Sequence, residues 1–182
     1  MRALGFLNLA NAGQFRNAIA LGAATGTAPD ITATRQYGTS KYGFVLSIEQ
    51  QLRDDSGIFS RLSWNDGANE TWAFTQIDHS FCFGGQFDGA LWQRKDDVIG
   101  LASVVNGISD AHRAYLAAGG YGFIIGDGAL QYGLEFITEA YYRLQVTSWL
   151  QLSADYQFVV NPAYNASRGL VHVFAVRTHL DL

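Results

Sequence analysis

Side chains alternate between apolar and polar over two long runs near the C-terminal end of the chain, and this alternation constrains the fold most strongly. In Tyr132–Val146 one parity is mostly apolar, and the other carries the charged residues. Trp149–Asn161 repeats the pattern, and every charge in both runs falls on the polar parity. Because successive side chains of a strand point to opposite faces, the pattern predicts strands with one apolar and one polar face.

The aromatic content of the apolar face indicates where such strands would lie. A soluble sandwich also has a polar face, but strands of about ten residues with an apolar, aromatic-rich outer face are typical of transmembrane barrels. The most apolar segment, Tyr115–Gly126, contains several glycines, and it is shorter than the roughly eighteen residues of a membrane helix. The sequence therefore predicts an all-β fold built from antiparallel transmembrane β-barrel strands.

The rest of the chain continues the same organisation. Helical segments are predicted at Gln14–Leu21 and Asp110–Ala118, within long connections. Long and short connections alternate, as in outer-membrane barrels, except that the third is short and the fourth moderate. About eight strands are predicted, at residues 2–10, 41–52, 57–66, 71–84, 96–107, 131–146, 149–161 and 170–182.

Tryptophans stand near the ends of several predicted strands. Trp64, Trp72 and Trp149 occupy positions where transmembrane barrels place their interfacial aromatic girdles. Ordinary core packing is the alternative interpretation of each.

Composition argues against several classes of function. The net charge of −4 and the pI of about 5.4 argue against nucleic-acid binding. The single cysteine, Cys82, predicts neither an internal disulfide nor a metal site. Ser109, Asp110 and His112 cluster on one turn, which favours a capped loop helix over a catalytic triad, whose members need only be close in space. No catalytic group, metal or other cofactor is predicted.

Several stretches together resemble the carbohydrate-selective porin family of the OprB type. The most specific stretch contains EAYY, a TSWL turn and DYQFVVNPAYN. The matching stretches are Ala18–Arg35, Ser40–Gln50, Asn65–Asp78, Leu91–Ser109, His112–Leu130 and Glu139–Asn165.

This resemblance implies a barrel of about sixteen strands in the bacterial outer membrane, of which residues 1–182 would form the C-terminal half as a single segment. The implied partners are mono- or oligosaccharide solutes, outer-membrane lipid and the N-terminal half of the barrel, and a homo-oligomer is compatible with it. The chain ends in His179–Leu182, whereas members of the family usually end in an aromatic residue.

The polar parity supplies candidates for a pore lining. A sugar pore needs hydrogen-bonding side chains that replace hydration and aromatic surfaces for apolar sugar faces. Glu139, Tyr141 and Arg143 are the foremost candidates, and mixed charge signs suit neutral solutes. The alternative is that these charges pair across strands and merely keep the lumen hydrated. The full candidate set is Arg61, Glu135, Glu139, Tyr141, Arg143, Asp155, Gln157 and Arg177.

The predicted function is therefore passive, weakly selective diffusion of sugars through a water-filled pore. One alternative is a complete eight-stranded barrel with a filled interior, acting as an envelope scaffold or adhesin. Another is an outer-membrane lipid-modifying enzyme.

Overall fold

The computed structural model describes residues 1–54, 56–71 and 76–181. Its strands form one antiparallel sheet in which each strand pairs with its neighbours in sequence. The strands are β1 (Arg2–Ala12), β2 (Gln36–Arg53), β3 (Ser56–Asn65), β4 (His79–Gly89), β5 (Arg94–Gly107), β6 (Glu135–Thr147), β7 (Leu150–Val160) and β8 (Leu170–Leu180).

The helices lie in the connections between strands. α1 (Phe15–Thr25) is alanine-rich and ends at Gly26, whose positive φ of 67° suits glycine. α2 (Asp110–Ala117) begins after Ser109, whose side chain accepts a hydrogen bond from the backbone N–H of His112. This confirms the predicted capped helix. Short 3₁₀ helices occupy Thr32–Thr34, Ala90–Trp92, Pro162–Tyr164 and Ala166–Arg168.

The connections differ strongly between the two ends of the sheet. After β1, β3, β5 and β7 the chain makes long connections at one end, here called the loop end. After β2, β4 and β6 it makes short connections at the other end, here called the turn end. The alternation is thus more regular than the sequence predicted, and it matches the habit of outer-membrane barrels.

One predicted strand was misplaced. The prediction of a strand at 71–84 was wrong in its bounds, since β4 runs from His79 to Gly89. Gln76 and Asp78 are instead buried at the loop end, where they hold other connections in place. Trp72, predicted to lie in an interfacial girdle, is outside the described residues.

The buried apolar cluster lies at the loop end and not within the sheet. We call this cluster the loop core. It brings α1 and α2 together with residues from the connections after β1, β5 and β7. Its members are Phe15, Ala18, Ile31, Ile108, Tyr115, Leu116, Ile125 and Tyr164.

A buried pair of an aspartate and a histidine stands beside the loop core. Asp78 Oδ2 lies 3.0 Å from His112 Nδ1, and both side chains are 1% exposed. The imidazole stacks on Phe15, with ring centroids 4.3 Å apart. Burial acts to raise the pKa of Asp78, but hydrogen bonds from His112 and from the backbone N–H of Ser109 outweigh it, and the net pKa is lowered.

The NPAYN stretch has a structural role in the same region. Tyr164 is buried in the loop core, and its hydroxyl donates to the carbonyl oxygen of Gln76 at 2.8 Å. Burial raises the pKa of this phenol. Asn161 donates to the carbonyl of Leu134, and the Asn165 side chain contacts Asp127. The motif therefore fastens the connection after β7 to the connections after β3 and β5.

The register confirms the predicted sorting of side chains. In β6 and β7, Glu139 pairs with Gln157 and Tyr141 pairs with Asp155, which places these residues on one face. The opposite face is apolar, and many of its large side chains are exposed, including Phe174 at 78% and Val176 at 80%. Among the helices of the described residues, none is long and apolar enough to span a membrane.

The sheet is open at both sides. Over residues 1–54, 56–71 and 76–181, β1 pairs only with β2 and β8 only with β7. Both outer strands therefore present unpaired backbone groups, which a membrane-embedded sheet cannot leave unsatisfied.

Candidate pore wall

All the predicted pore-lining residues lie on the same face of the sheet. The pairings Arg61–Cys82, Cys82–Val104 and Val104–Ile137 carry this face from β3 to β6. On β6 the residues of the same parity include Glu135, Glu139, Tyr141 and Arg143. On β7 and β8 they include Asp155, Gln157 and Arg177. We call this face the polar face.

Four of the candidates form one polar cluster on β6, β7 and β8. Gln157 Nε2 donates to Glu139 Oε2 at 2.7 Å. Arg177 Nη2 lies 3.4 Å from Glu139 Oε1, and the same guanidinium pairs with Asp155. Arg177 is 60% exposed while the Asp155 side chain is 2% exposed, so the cation covers the acid. The cluster links three neighbouring strands and still presents charge to solvent.

The other candidates stand apart from this cluster. Glu135 lies at the loop end, where it accepts from Asn106 Nδ2 at 3.1 Å and from the backbone N–H of Ala163 at 2.9 Å. Its contacts indicate a structural role. Arg61 and Arg143 form no ion pair with any described residue, and the Nε of Arg143 is buried without a partner in that part of the chain.

Tyr141 lies between the polar cluster and the strands nearer the centre of the sheet. Its hydroxyl donates to Gln86 Oε1 on β4 at 3.0 Å. Its ring crosses Gly100 on β5, where an added Cβ would meet Tyr141 Cε1 at 2.2 Å. The side chain therefore lies along the sheet instead of standing away from it.

Sequence reasoning missed two residues of this face. Gln86 was assigned to a loop because β4 was placed too early. Phe59 was overlooked because it is an aromatic residue on the polar parity, although this break in alternation was the available signal. Phe59 pairs with Glu49 on β2 and Gly84 on β4, which places it on the polar face.

The residues that superficially suggested catalysis are engaged in structural contacts. Ser109 Oγ donates to the carbonyl oxygen of Gly67 at 2.6 Å. His112 contacts Asp78 through Nδ1, while its buried Nε2 has no partner among the described residues. The serine hydroxyl is thus directed to a backbone carbonyl, and the pair of Asp78 and His112 lies beside the loop core.

Comparison with known proteins identifies the family. The family model for carbohydrate-selective porins, the OprB family, matches residues 1–182. The chain belongs to the OprB family. A search of curated proteins returned no significant match.

A solved structure similar to this OprB-family chain is the high pH structure of Pseudomonas putida OprB. The TM-score is 0.70 at 18% sequence identity, and the match covers 97% of this chain. It covers 42% of the P. putida chain, so the present chain spans less than half of that protein. The shared fold is that of a porin.

Proposed function

We propose that the chain supplies part of the wall of an outer-membrane porin through which sugars diffuse passively. The carrying observation is the polar face, which places ionic and hydrogen-bonding side chains from β3 to β8 on one surface of an OprB-family sheet. Such groups can replace the hydration of a hydroxylated solute, while the apolar face meets lipid.

The full barrel, in this proposal, has about sixteen strands. The unpaired edges of β1 and β8 support it, because each requires a neighbouring strand within the membrane. The share of P. putida OprB that the chain covers, 42%, also leaves room for further strands. We therefore propose that the N-terminal half of the barrel pairs with both edges. Residues 1–182 would then be the C-terminal half of the same barrel. Outer-membrane lipid would surround the apolar face.

The mixture of charge signs supports neutral sugars as the solutes. Glu139 and Asp155 are balanced by Arg177, while Arg61 and Arg143 add positive charge without forming an ion pair among the described residues. A wall of this kind favours weak and reversible contact with mono- or oligosaccharides over strong selection of one ion. Glu139, Tyr141 and Arg143 remain the foremost proposed contacts.

A closed eight-stranded scaffold or adhesin is not favoured. Such a barrel requires β1 to pair with β8, whereas the sheet described here is open between them. A lipid-modifying enzyme has no supporting arrangement at Ser109 and His112, since the Ser109 hydroxyl is bound to the Gly67 carbonyl.

Swelling of liposomes that contain the full-length protein tests this function. We expect swelling in iso-osmotic glucose and sucrose, at rates that fall as the solute becomes larger. Liposomes without protein control for leakage, and stachyose controls for size exclusion. Absence of swelling with every mono- and disaccharide, in vesicles that contain folded protein, would refute a sugar channel.

A further inference from the structure

A depression of about 790 Å³ lies in the polar face towards the turn end. It spans strands β2 to β6, and its volume falls within the range of roughly 300–1,000 Å³ that accommodates small ligands. Its lining includes Glu49, Phe59, Gln86, Ala102, Glu139 and Tyr141. Phe59 and Tyr141 are the aromatic residues among those that line the depression.

The two aromatic rings lie over small residues of the neighbouring strands. At Gly84 an added Cβ would meet Phe59 Cε1 at 2.8 Å, and at Gly100 an added Cβ would meet Tyr141 Cε1 at 2.2 Å. Gly84 pairs with Ala102, so the floor between the rings has no long side chain at these positions. Glycine is required here because any larger residue would displace a ring.

The rings approach each other from opposite sides of this floor. Phe59 belongs to β3 and crosses towards β4, while Tyr141 belongs to β6 and crosses towards β5. Their strands are three positions apart, or about 14 Å at the usual strand spacing. Because both side chains extend towards the strands between them, the two rings lie closer together than their own strands.

Polar groups border the same space. Gln86 Oε1 accepts a hydrogen bond from the Tyr141 hydroxyl, so the Nε2 group of Gln86 can donate to a ligand. Glu139 lines the depression and belongs to the polar cluster, and Glu49 lines it on the other side. Carboxylates accept hydrogen bonds from hydroxyl groups, and aromatic faces contact apolar C–H surfaces. A pyranose ring presents both kinds of surface.

We propose that Phe59 and Tyr141 form a subsite in which a pyranose stacks on aromatic rings while Gln86, Glu139 and Glu49 contact its hydroxyl groups. This inference rests on the proposed sugar-channel function and specifies where the channel wall holds the sugar. The subsite is shallow and open to the polar face, so the sugar binds weakly and can leave.

Single-channel recording of the full-length protein in planar bilayers tests the subsite. The probe is glucose, whose binding is measured from the concentration that half-maximally blocks the ion current. Phe59→Leu removes the aromatic face but keeps an apolar side chain of similar size. We expect it to weaken glucose block about two- to tenfold, in line with the loss of one aromatic contact.

Three matched variants separate the subsite from general effects. Phe59→Tyr retains the ring, so the glucose concentration that half-maximally blocks its current should lie within about twofold of that for the natural protein. Tyr141→Leu should weaken block to a degree similar to Phe59→Leu. Phe83→Leu makes the same change on the adjacent strand but on the apolar face, and it should leave glucose block unchanged.

The outcomes distinguish the two proposals. If glucose blocks the current of the natural protein, Phe59→Leu and Tyr141→Leu equally well, the subsite is refuted. The proposed channel function is not affected by that result. A natural protein that neither passes sugar into liposomes nor shows glucose block would refute the proposed function itself. Equal weakening by Phe83→Leu and Phe59→Leu would also refute the subsite, because the effect would not depend on the face.

Discussion

The loop core and the strands place their apolar side chains in different surroundings. In the loop core, Phe15, Ala18 and Tyr115 are no more than 3% exposed and pack against protein on all sides. On the strands, the large apolar residues point outwards, and Val176 is 80% exposed. The loop core resembles a small soluble core, whereas the outer face of the sheet requires lipid to cover it.

The difference shows which interactions stabilise each region. Packing and buried hydrogen bonds of the protein itself hold the loop core together, including the pair of Asp78 and His112. The sheet depends on backbone pairing and, in the proposed porin, on burial of its apolar face in the bilayer. Substitutions that affect packing should therefore act at the loop end, and substitutions that affect contact with lipid should act on the strands.

The largest effect is expected from Phe15→Ala. Removing a ring that is 3% exposed and stacks on His112 should cost about 3–5 kcal/mol of local stability. Hydrogen exchange of the full-length protein should show loss of protection in α1 and α2 with the strands still protected. Phe174→Ala, on the outer face of β8, is the control. Equal loss of protection in strands and loop core would contradict independent stabilisation of the two regions.

A matched pair of arginines on β8 tests the two faces at one depth. Val176→Arg places a charge on the apolar face and should cost about 2–4 kcal/mol near the bilayer midplane. Ala175→Arg places it on the polar face, opposite Asp155, and should cost far less. Urea unfolding of the full-length protein in lipid vesicles measures both. Similar losses for the two variants would show that the polar face does not border water.

Asp78→Asn should have an intermediate effect, restricted to the loop end. The variant loses a buried charge that contacts His112 and the Ser109 N–H, and about 1.5–3 kcal/mol of local stability should disappear. Exchange of the Ser109 and His112 amides at neutral pH measures this loss. Asp110→Asn, at an exposed position next to Ser109, is the control.

Acidic pH should destabilise the loop end in the same way as Asp78→Asn. The pKa of Asp78 lies below its ordinary value of 3.8 in the folded protein. The carboxylate therefore stabilises the loop end at neutral pH, and this contribution is lost as the pH falls through the lowered pKa. Limited proteolysis should cleave the loop end faster below about pH 4 in the natural protein. In Asp78→Asn this acid-dependent increase should be much smaller.

The smallest change in stability is expected from Glu139→Gln on the polar face. Glu139 is 35% exposed and contacts Gln157 and Arg177, so the cost should be below about 1 kcal/mol. Ion selectivity should nevertheless shift towards anions, because a negative charge of the proposed pore wall is lost. The reversal potential in a KCl gradient measures this shift. Thr138→Val, on the opposite face, should leave it unchanged.

The strand faces could be predicted from sequence because the membrane imposes a simple rule on them. Along β6 and β7 each residue of the polar face alternates with a residue of the apolar face, so parity alone placed Glu139 and Asp155 together. This alternation rule showed only that the segments between strands, which contain the helices, do not alternate. It could not predict that Asp78 and His112, which are distant in sequence, form a buried pair.

The errors arose where the alternation is interrupted. The prediction started a strand at residue 71, although Gln76 and Asp78 serve the loop end and β4 begins at His79. The predicted strand ended at residue 84, whereas Gly84 lies inside β4, where it accommodates the Phe59 ring. Side-chain packing across strands decides both points, and parity along one strand carries no information about it.

The opposite directions of β1 and β8 limit how the open sheet can be completed. β1 runs from the turn end to the loop end, and β8 runs back again. An antiparallel seam at both edges is possible only if the added strands are even in number. An odd strand would create one parallel seam, which a short turn cannot connect. Evolutionary gain or loss of barrel wall in such a chain should therefore occur by whole hairpins.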